Sequence, residues 1–330
     1  MRNLFLILLT ALSSISQADN FSPFSSQGPL PAIVTNPQSV TLSGISAGAF
    51  FAVQYGMAHS SEVQGVASLA GGIYHCAENS LEEADSVCAA NPGNIDVTKY
   101  VSYAQRQAAA NTIDPLSSVA KQKIFIYQGT QDVVINPLAA GKLAQFYTSL
   151  GAQVQSKTDV PSGHGFPTKS FGNVCSSSDS PWILKCDYDA AGDILNDFYG
   201  PLAPSTPMKA KNLISFDQGE FAVPGAGMES IGYVYIPDAC RATSGSCRLH
   251  VAFHGCMQTP ISVGDAFVAK TGLNDWAESN NIVVLYPVVA GAEVTGCWDW
   301  YGYTGDDYDL ASAKQITVIH KMIARLQGQK

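Results

Sequence analysis

Charge is scarce in this chain. Asp, Glu, Lys and Arg make up 14% of its 330 residues, with 18 basic against 27 acidic side chains and a formal net charge of −9. The basic residues form no cluster, which excludes a protein that grips nucleic acid through its phosphates. Long apolar runs are lacking as well. Leu4-Phe5-Leu6-Ile7-Leu8-Leu9 is too short to cross a bilayer and no later run is long enough, so stable membrane insertion is not expected. There is no internal repeat and no low-complexity tract, and no Cys-x-x-Cys pair suggests zinc, so neither a metal nor another cofactor is expected. A surface this poor in charge suits a neutral or apolar substrate better than a charged one.

What is present begins with the first residues. Met1-Arg2-Asn3, the apolar run and the small residues Ser16-Gln17-Ala18 have the three parts of a secretory signal peptide, residues 1–18, which implies an extracellular or periplasmic protein. Export agrees with the even count of eight cysteines: Cys76, Cys88, Cys175, Cys186, Cys240, Cys247, Cys256 and Cys297. Eight cysteines allow 105 connectivities. Pairing sequence neighbours is the simplest scheme: Cys76–Cys88, Cys175–Cys186, Cys240–Cys247 and Cys256–Cys297.

Gly44-Ile45-Ser46-Ala47-Gly48 names a chemistry. A β-branched run precedes it and a helical stretch from Ala49 follows. A G-x-S-x-G between strand and helix is a nucleophile elbow, whose glycines remove the Cβ atoms that would clash in a tight turn. Downstream, strands are expected at 65–70, 123–127, 153–157, 212–217, 231–236, 249–253 and 281–286. Helices are expected at 137–150, near Asp275, and from about Leu310 to Leu326. Strands alternating with helices imply an α/β fold, a mainly parallel sheet with helices on both faces.

A serine needs a base to take its proton and an acid to orient that base. Gln128-Gly129-Thr130-Gln131-Asp132 directly follows a strand, and Gly163-His164-Gly165 follows the next one. The order Ser46, Asp132, His164 is that of the α/β-hydrolase fold. Asp159 is a weaker candidate for the acid. His59 ends the elbow helix, where an imidazole suits the dipole; His75, His250 and His320 carry no catalytic expectation. Two amides must also hold the oxyanion. That of Ala47 follows from the elbow, and His254-Gly255-Cys256 after a strand marks the loop that supplies a second.

That loop lies downstream of the serine, whereas the usual order puts it upstream, and too few residues precede the elbow for the strands that normally come first. Joining the chain's end to its mature start restores the ordinary order, so the sequence reads as a circularly permuted hydrolase. The segment 200–207, rich in Pro and small residues, then joins the original ends and divides no domains. Residues 19–330 are expected to form one catalytic domain without a separate substrate-binding domain, acting as a monomer.

The chain resembles the circularly permuted, single-domain extracellular poly(3-hydroxybutyrate) depolymerases of fungal type. The carriers are the elbow, Ser68-Leu69-Ala70-Gly71-Gly72, Gln128 to Asp132, Gly163-His164-Gly165, His254-Gly255-Cys256, Ala266-Phe267 through Trp276-Ala277, and Gly296-Cys297-Trp298-Asp299-Trp300-Tyr301. The resemblance implies a triad of Ser46, Asp132 and His164, an oxyanion hole from the Ala47 and Cys256 amides, and a Cys256–Cys297 bridge holding the oxyanion loop against the tryptophan loop. It implies hydrolysis of a hydrophobic polyester through an acyl-enzyme. Trp298, Trp300, Tyr301 and Tyr303 then become candidates for the apolar subsite such a substrate needs. The rival readings are a secreted esterase for feruloyl or acetyl groups on plant polymers or for lipid, and a non-catalytic binding protein on a hydrolase scaffold.

Overall fold

The computed structural model describes residues 28–242, 246–291 and 295–329, so the proposed signal peptide lies outside the described residues. Eleven strands are present among the described residues: β1 (Val40–Ile45), β2 (Val63–Leu69), β3 (Lys123–Tyr127), β4 (Gln153–Lys157), β5 (Phe166–Thr168), β6 (Asn173–Val174), β7 (Ile183–Lys185), β8 (Leu213–Asp217), β9 (Ile231–Tyr235), β10 (Arg248–Phe253) and β11 (Ile282–Tyr286). The longer helices are α1 (Ala47–Ala58), α2 (Val97–Ala109), α3 (Leu138–Ser149), α4 (Ala190–Tyr199), α5 (Leu273–Asn280) and α6 (Lys314–Leu326). Eight strands form one sheet in the order β4-β3-β2-β1-β10-β11-β9-β8. From β4 to β11 every pairing is parallel, while β9 runs antiparallel to both β11 and β8.

The inner parallel strands β3, β2, β1, β10 and β11 are buried over nearly their whole length, as their near-continuous apolar runs require, while β4 at the edge is polar and largely exposed. Successive side chains alternate between two cores: Ile124 and Ile126 join one and Phe125 and Tyr127 the other, as Val283 and Leu285 oppose Val284 and Tyr286. Every residue of α1 is buried. Its sequence is apolar all round, which only a helix enclosed by protein can be.

The expected strands and helices lie where the alternation put them, within a few residues. The last helix starts later than expected. Residues 310–313 are instead drawn into turns by bonds from the Leu310 amide to the Asp307 carbonyl and from the Ala313 amide to the Leu310 carbonyl. The small sheet β5-β7-β6 was not expected. Its strands of two or three residues are too short for any periodicity to register. Segment 200–207 packs along α5: the Ala203 amide donates to Asn280 Oδ1 and the Thr206 amide to the Asp275 carbonyl. All four neighbour pairings are disulfides, Cys76–Cys88, Cys175–Cys186, Cys240–Cys247 and Cys256–Cys297. No helix among the described residues is long and apolar enough to cross a membrane.

Candidate active site

β1 ends at Ile45 and α1 begins at Ala47, so Ser46 alone makes the turn, with φ 57° and ψ −126°. A non-glycine residue in that region is strained and persists only when its surroundings impose it. The Ser46 amide is tied to the Leu69 carbonyl at the end of β2, at 2.9 Å. A Cβ on Gly44 would meet the Gly48 carbonyl oxygen at 2.0 Å, and one on Gly48 would meet the carbonyl oxygens of Phe253 and His254 at 2.4 Å. Both glycines of the motif are therefore close approaches of backbone to backbone.

Asp132 and His164 meet. His164 Nδ1 lies 2.9 Å from Asp132 Oδ2, and both side chains are almost wholly buried. Asp132 Oδ2 also accepts from Gln128 Nε2 at 3.1 Å, while Oδ1 accepts from the amides of Val134 and Ile135 at 2.8 and 2.9 Å. Four donors around one carboxylate fix its plane. The His164 loop is clamped from the other side, its amide donating to Ser178 Oγ at 2.9 Å and that of Gly163 to the Cys175 carbonyl at 2.8 Å. The weaker acid candidate, Asp159, lies exposed and pairs with Lys157 at 2.9 Å.

Ser46, Ala47, His164 and Cys256 line one cavity of about 440 Å³. Among the described residues, neither the Ala47 amide nor the Cys256 amide donates to a protein acceptor. The loop bearing Cys256 is held by several bonds. The Gly255 amide donates to Gln258 Oε1 at 2.7 Å, the Met257 amide to the Thr295 carbonyl at 2.7 Å, and the bridge to Cys297 closes it. His254 Nδ1 faces the Gly255 carbonyl at 2.8 Å and Nε2 accepts from the Val289 amide at 3.3 Å, an arrangement that needs a neutral ring. Burial supplies this by lowering the His254 pKa to about 4.

Of the four aromatics expected at a substrate subsite, Trp300 alone lines the cavity, stacked on Phe50 at 4.3 Å. Trp298 is a correction. It is fully buried, stacked on Phe51 at 4.5 Å and edge-on to Phe253 at 5.0 Å, and so belongs to the core. Tyr301 and Tyr303 do not line the cavity either: Tyr301 is buried beside Trp300, and the Tyr303 hydroxyl donates to the Cys297 carbonyl at 2.8 Å. The wall contains residues that the sequence did not single out, among them Trp182, Met257, Gln258 and Val134. Trp182 and Met257 carry positive φ values of 54° and 57° in loops, where no periodicity points to them.

A serine and a histidine also meet outside the cavity. His250 Nε2 lies 2.7 Å from Ser43 Oγ and Nδ1 2.8 Å from Thr41 Oγ1, with the ring fully buried between β1 and β10. Burial lowers its pKa to about 3. With no access to the cavity, it cross-links two strands. Asp299 takes no part in it, since its carboxylate accepts from the amides of Tyr301, Gly302, Tyr303 and Thr304.

A mainly parallel sheet with helices on both faces and a serine at the strand–helix elbow defines an α/β-hydrolase. No protein-family model matches the chain. It is 36% identical over 305 residues to a poly(3-hydroxybutyrate) depolymerase of Delftia acidovorans, covering 91% of this chain but 62% of that relative, about three fifths of its length. It is 34% identical to a polyhydroxybutyrate depolymerase of Talaromyces funiculosus, covering 88% of this chain and 90% of the relative. The crystal structure of PHB depolymerase from Penicillium funiculosum superposes with a TM-score of 0.81 at 31% identity, over 92% of this chain and all of the other. A serine-to-alanine variant of PHB depolymerase complexed with an R3HB trimer gives the same TM-score at 32% identity and the same coverage. The chain belongs to the poly(3-hydroxybutyrate) depolymerase family.

Proposed function

We propose that this protein is a secreted serine esterase that cleaves poly(3-hydroxybutyrate)-type polyester to hydroxyacids and their oligomers. The observation that carries the reading is the single cavity joining Ser46, His164 and the two amides, with Asp132 bonded behind the histidine. His164 removes the Ser46 proton as Oγ attacks an ester carbonyl, and the Ala47 and Cys256 amides hold the oxyanion. Collapse expels the hydroxyl end of the next unit, which takes its proton from His164. A water activated by the same imidazole then releases the acyl group as its acid and restores Ser46. Trp300, with Val134 and Met257 exposed at the mouth, offers the apolar contact a polyester would need.

The sheet order supports the permuted reading. If the chain's end is joined to its start, the antiparallel pair β8–β9 comes first, then β10 with the oxyanion loop, β11, α6, and β1 with the elbow. The described ends lie together, with the Thr35 amide on the Leu326 carbonyl at 2.9 Å. One catalytic domain is the corresponding reading of residues 19–330. Four disulfides are the support for export.

The test is clearing of poly(3-hydroxybutyrate) granules, alongside feruloyl, acetyl and lipid esters, by wild type and Ser46→Ala. Granule clearing that falls at least a thousandfold in the variant is expected. Clearing retained in the variant would remove Ser46 as nucleophile. Hydrolysis of the other esters without granule clearing would replace the substrate.

A further inference from the structure

At the end of α1 opposite the serine, three metal-ligating side chains converge. His59 caps the helix, Glu62 follows in the turn before β2, and His320 projects from α6; their ligating atoms all lie within 4.8 Å of one another. His59 and His320 stack at 4.4 Å between ring centroids, 11° from parallel. His320 Nδ1 is 3.6 Å from Glu62 Oε2 and 3.3 Å from the Tyr55 hydroxyl. His59 Nε2 is buried and has no hydrogen-bond partner. A buried ring nitrogen without a partner is costly and rare, and calls for an explanation.

We infer that His59, Glu62 and His320 form a site for one late transition-metal dication of the zinc type, which ties the end of α1 to α6. Two imidazoles and a carboxylate are a donor set that such ions favour, and a fourth position stays open to water. Metal–nitrogen bonds of ~2.0–2.1 Å in tetrahedral geometry put donor atoms about 3.3 Å apart. The lone pairs of the two stacked rings lie in near-parallel planes, so the His320 ring must turn out of the stack as the groups close inward. Glu62 and His320, whose side chains are 41% and 37% exposed, are free to rotate and do so. With Nε2 of His320 on the metal, its Nδ1 stays on the Tyr55 hydroxyl, as outer-shell partners of ligating histidines do. A second carboxylate, Asp114, stands nearby, held by the amide of Ser61 at 2.8 Å, and adds to the field that draws a cation. Two ligands three residues apart and a third from the far end of the chain leave no motif in the sequence.

The site is a staple and not a reaction centre. α1 has 12 residues, which places its end about 18 Å from Ser46 at ~1.5 Å per residue. Metal should raise the melting temperature and leave turnover of a small ester unchanged.

The experiment uses the full chain without a histidine tag, stripped with EDTA, and titrates ZnCl2 by calorimetry with parallel thermal melts. One equivalent bound and a melting temperature raised by several degrees are expected, with binding at least tenfold weaker in His320→Ala and in Glu62→Gln. Cu2+ bound at the same site should show couplings to two imidazole nitrogens in its electron paramagnetic resonance spectrum, and to one in His320→Ala. Because His320 and Glu62 are partly exposed, both variants should fold; His59, half enclosed at a helix end, is not the primary test. No heat and no thermal shift in wild type would overturn the inference. So would binding or nitrogen couplings left unchanged by His320→Ala, which would place the metal on other histidines.

Discussion

At the scale of single residues, the carboxylate of Asp132 makes the sharpest test. Its Oδ1 must remain an acceptor for two backbone amides, so in Asp132→Asn the new NH2 is forced to the side facing His164 and Gln128. There it donates to His164 Nδ1, which moves the ring proton to Nε2 and removes the atom that must take the serine proton. Turnover of p-nitrophenyl butyrate should fall by about 10⁴-fold, as in other triads; a loss under tenfold would exclude Asp132 as the acid. The two tryptophans should separate cleanly. Trp300→Ala should lower activity on granules more than on the soluble ester, because the ring lines the cavity wall and touches no reacting atom. Trp298→Ala should instead cost about 3–5 kcal/mol in stability by leaving a hole between Phe51 and Phe253. Trp298→Phe should be far milder, since the indole NH it removes is buried without a partner. Equal effects of Trp300→Ala on both substrates in kinetic assays would make it a structural support.

At the scale of elements, what could be read from the sequence and what could not have a common cause. Strands β3 and β11 carry unbroken apolar runs because both faces are buried, and burial leaves a pattern. Asp132 was singled out because it follows such a strand, and His164 because it stands between two glycines in the loop after the next strand, the polar edge strand β4. The cavity's far wall was not found, since Trp182 and Met257 stand on loops whose course depends on what they pack against. The parity of Trp298 and Trp300 was likewise hidden: adjacent tryptophans two apart can share a face or divide between core and cavity, and only the turn built on Asp299 decides it. The disulfide Cys256–Cys297 links that turn's segment to the loop proposed to hold the oxyanion and closes a separation of 41 residues, a constraint on the unfolded chain of about 4 kcal/mol. Replacing both cysteines by serine should lower thermal stability, and should also lower kcat by about a hundredfold as the Cys256 amide loses its position. The same change at Cys240 and Cys247, before the start of β10 and away from the cavity, should leave kcat nearly unchanged. Equal kcat losses in the two variants, measured on the soluble ester, would mean the first bridge has no special bearing on the oxyanion loop.

At the scale of the whole molecule, the order of strands along the chain and their order in space disagree in one respect only. The antiparallel pair and β10–β11 come late in sequence but occupy one half of the sheet beside β1. The physical condition for exchanging termini without loss is that the ends adjoin and the cut falls on the surface. Both hold here. Thr35 bonds to Leu326, and Val34 packs where a side chain on Gly328 would stand. Residues 200–207 run over α5 and contribute little apolar area to either core. A chain joined from residue 329 to residue 28 by a short Gly/Ser linker and opened within 200–207 should therefore fold to the same sheet. Loop closure changes slowly with length, so its stability should lie within about 1–2 kcal/mol of the parent. Ester turnover should stay within a few-fold, because the cavity residues all keep their neighbours. Urea unfolding and kinetics on p-nitrophenyl butyrate measure both. A rearranged chain that is insoluble or inactive would show that the present order of elements is needed to reach the fold, and that segment 200–207 is more than a connection.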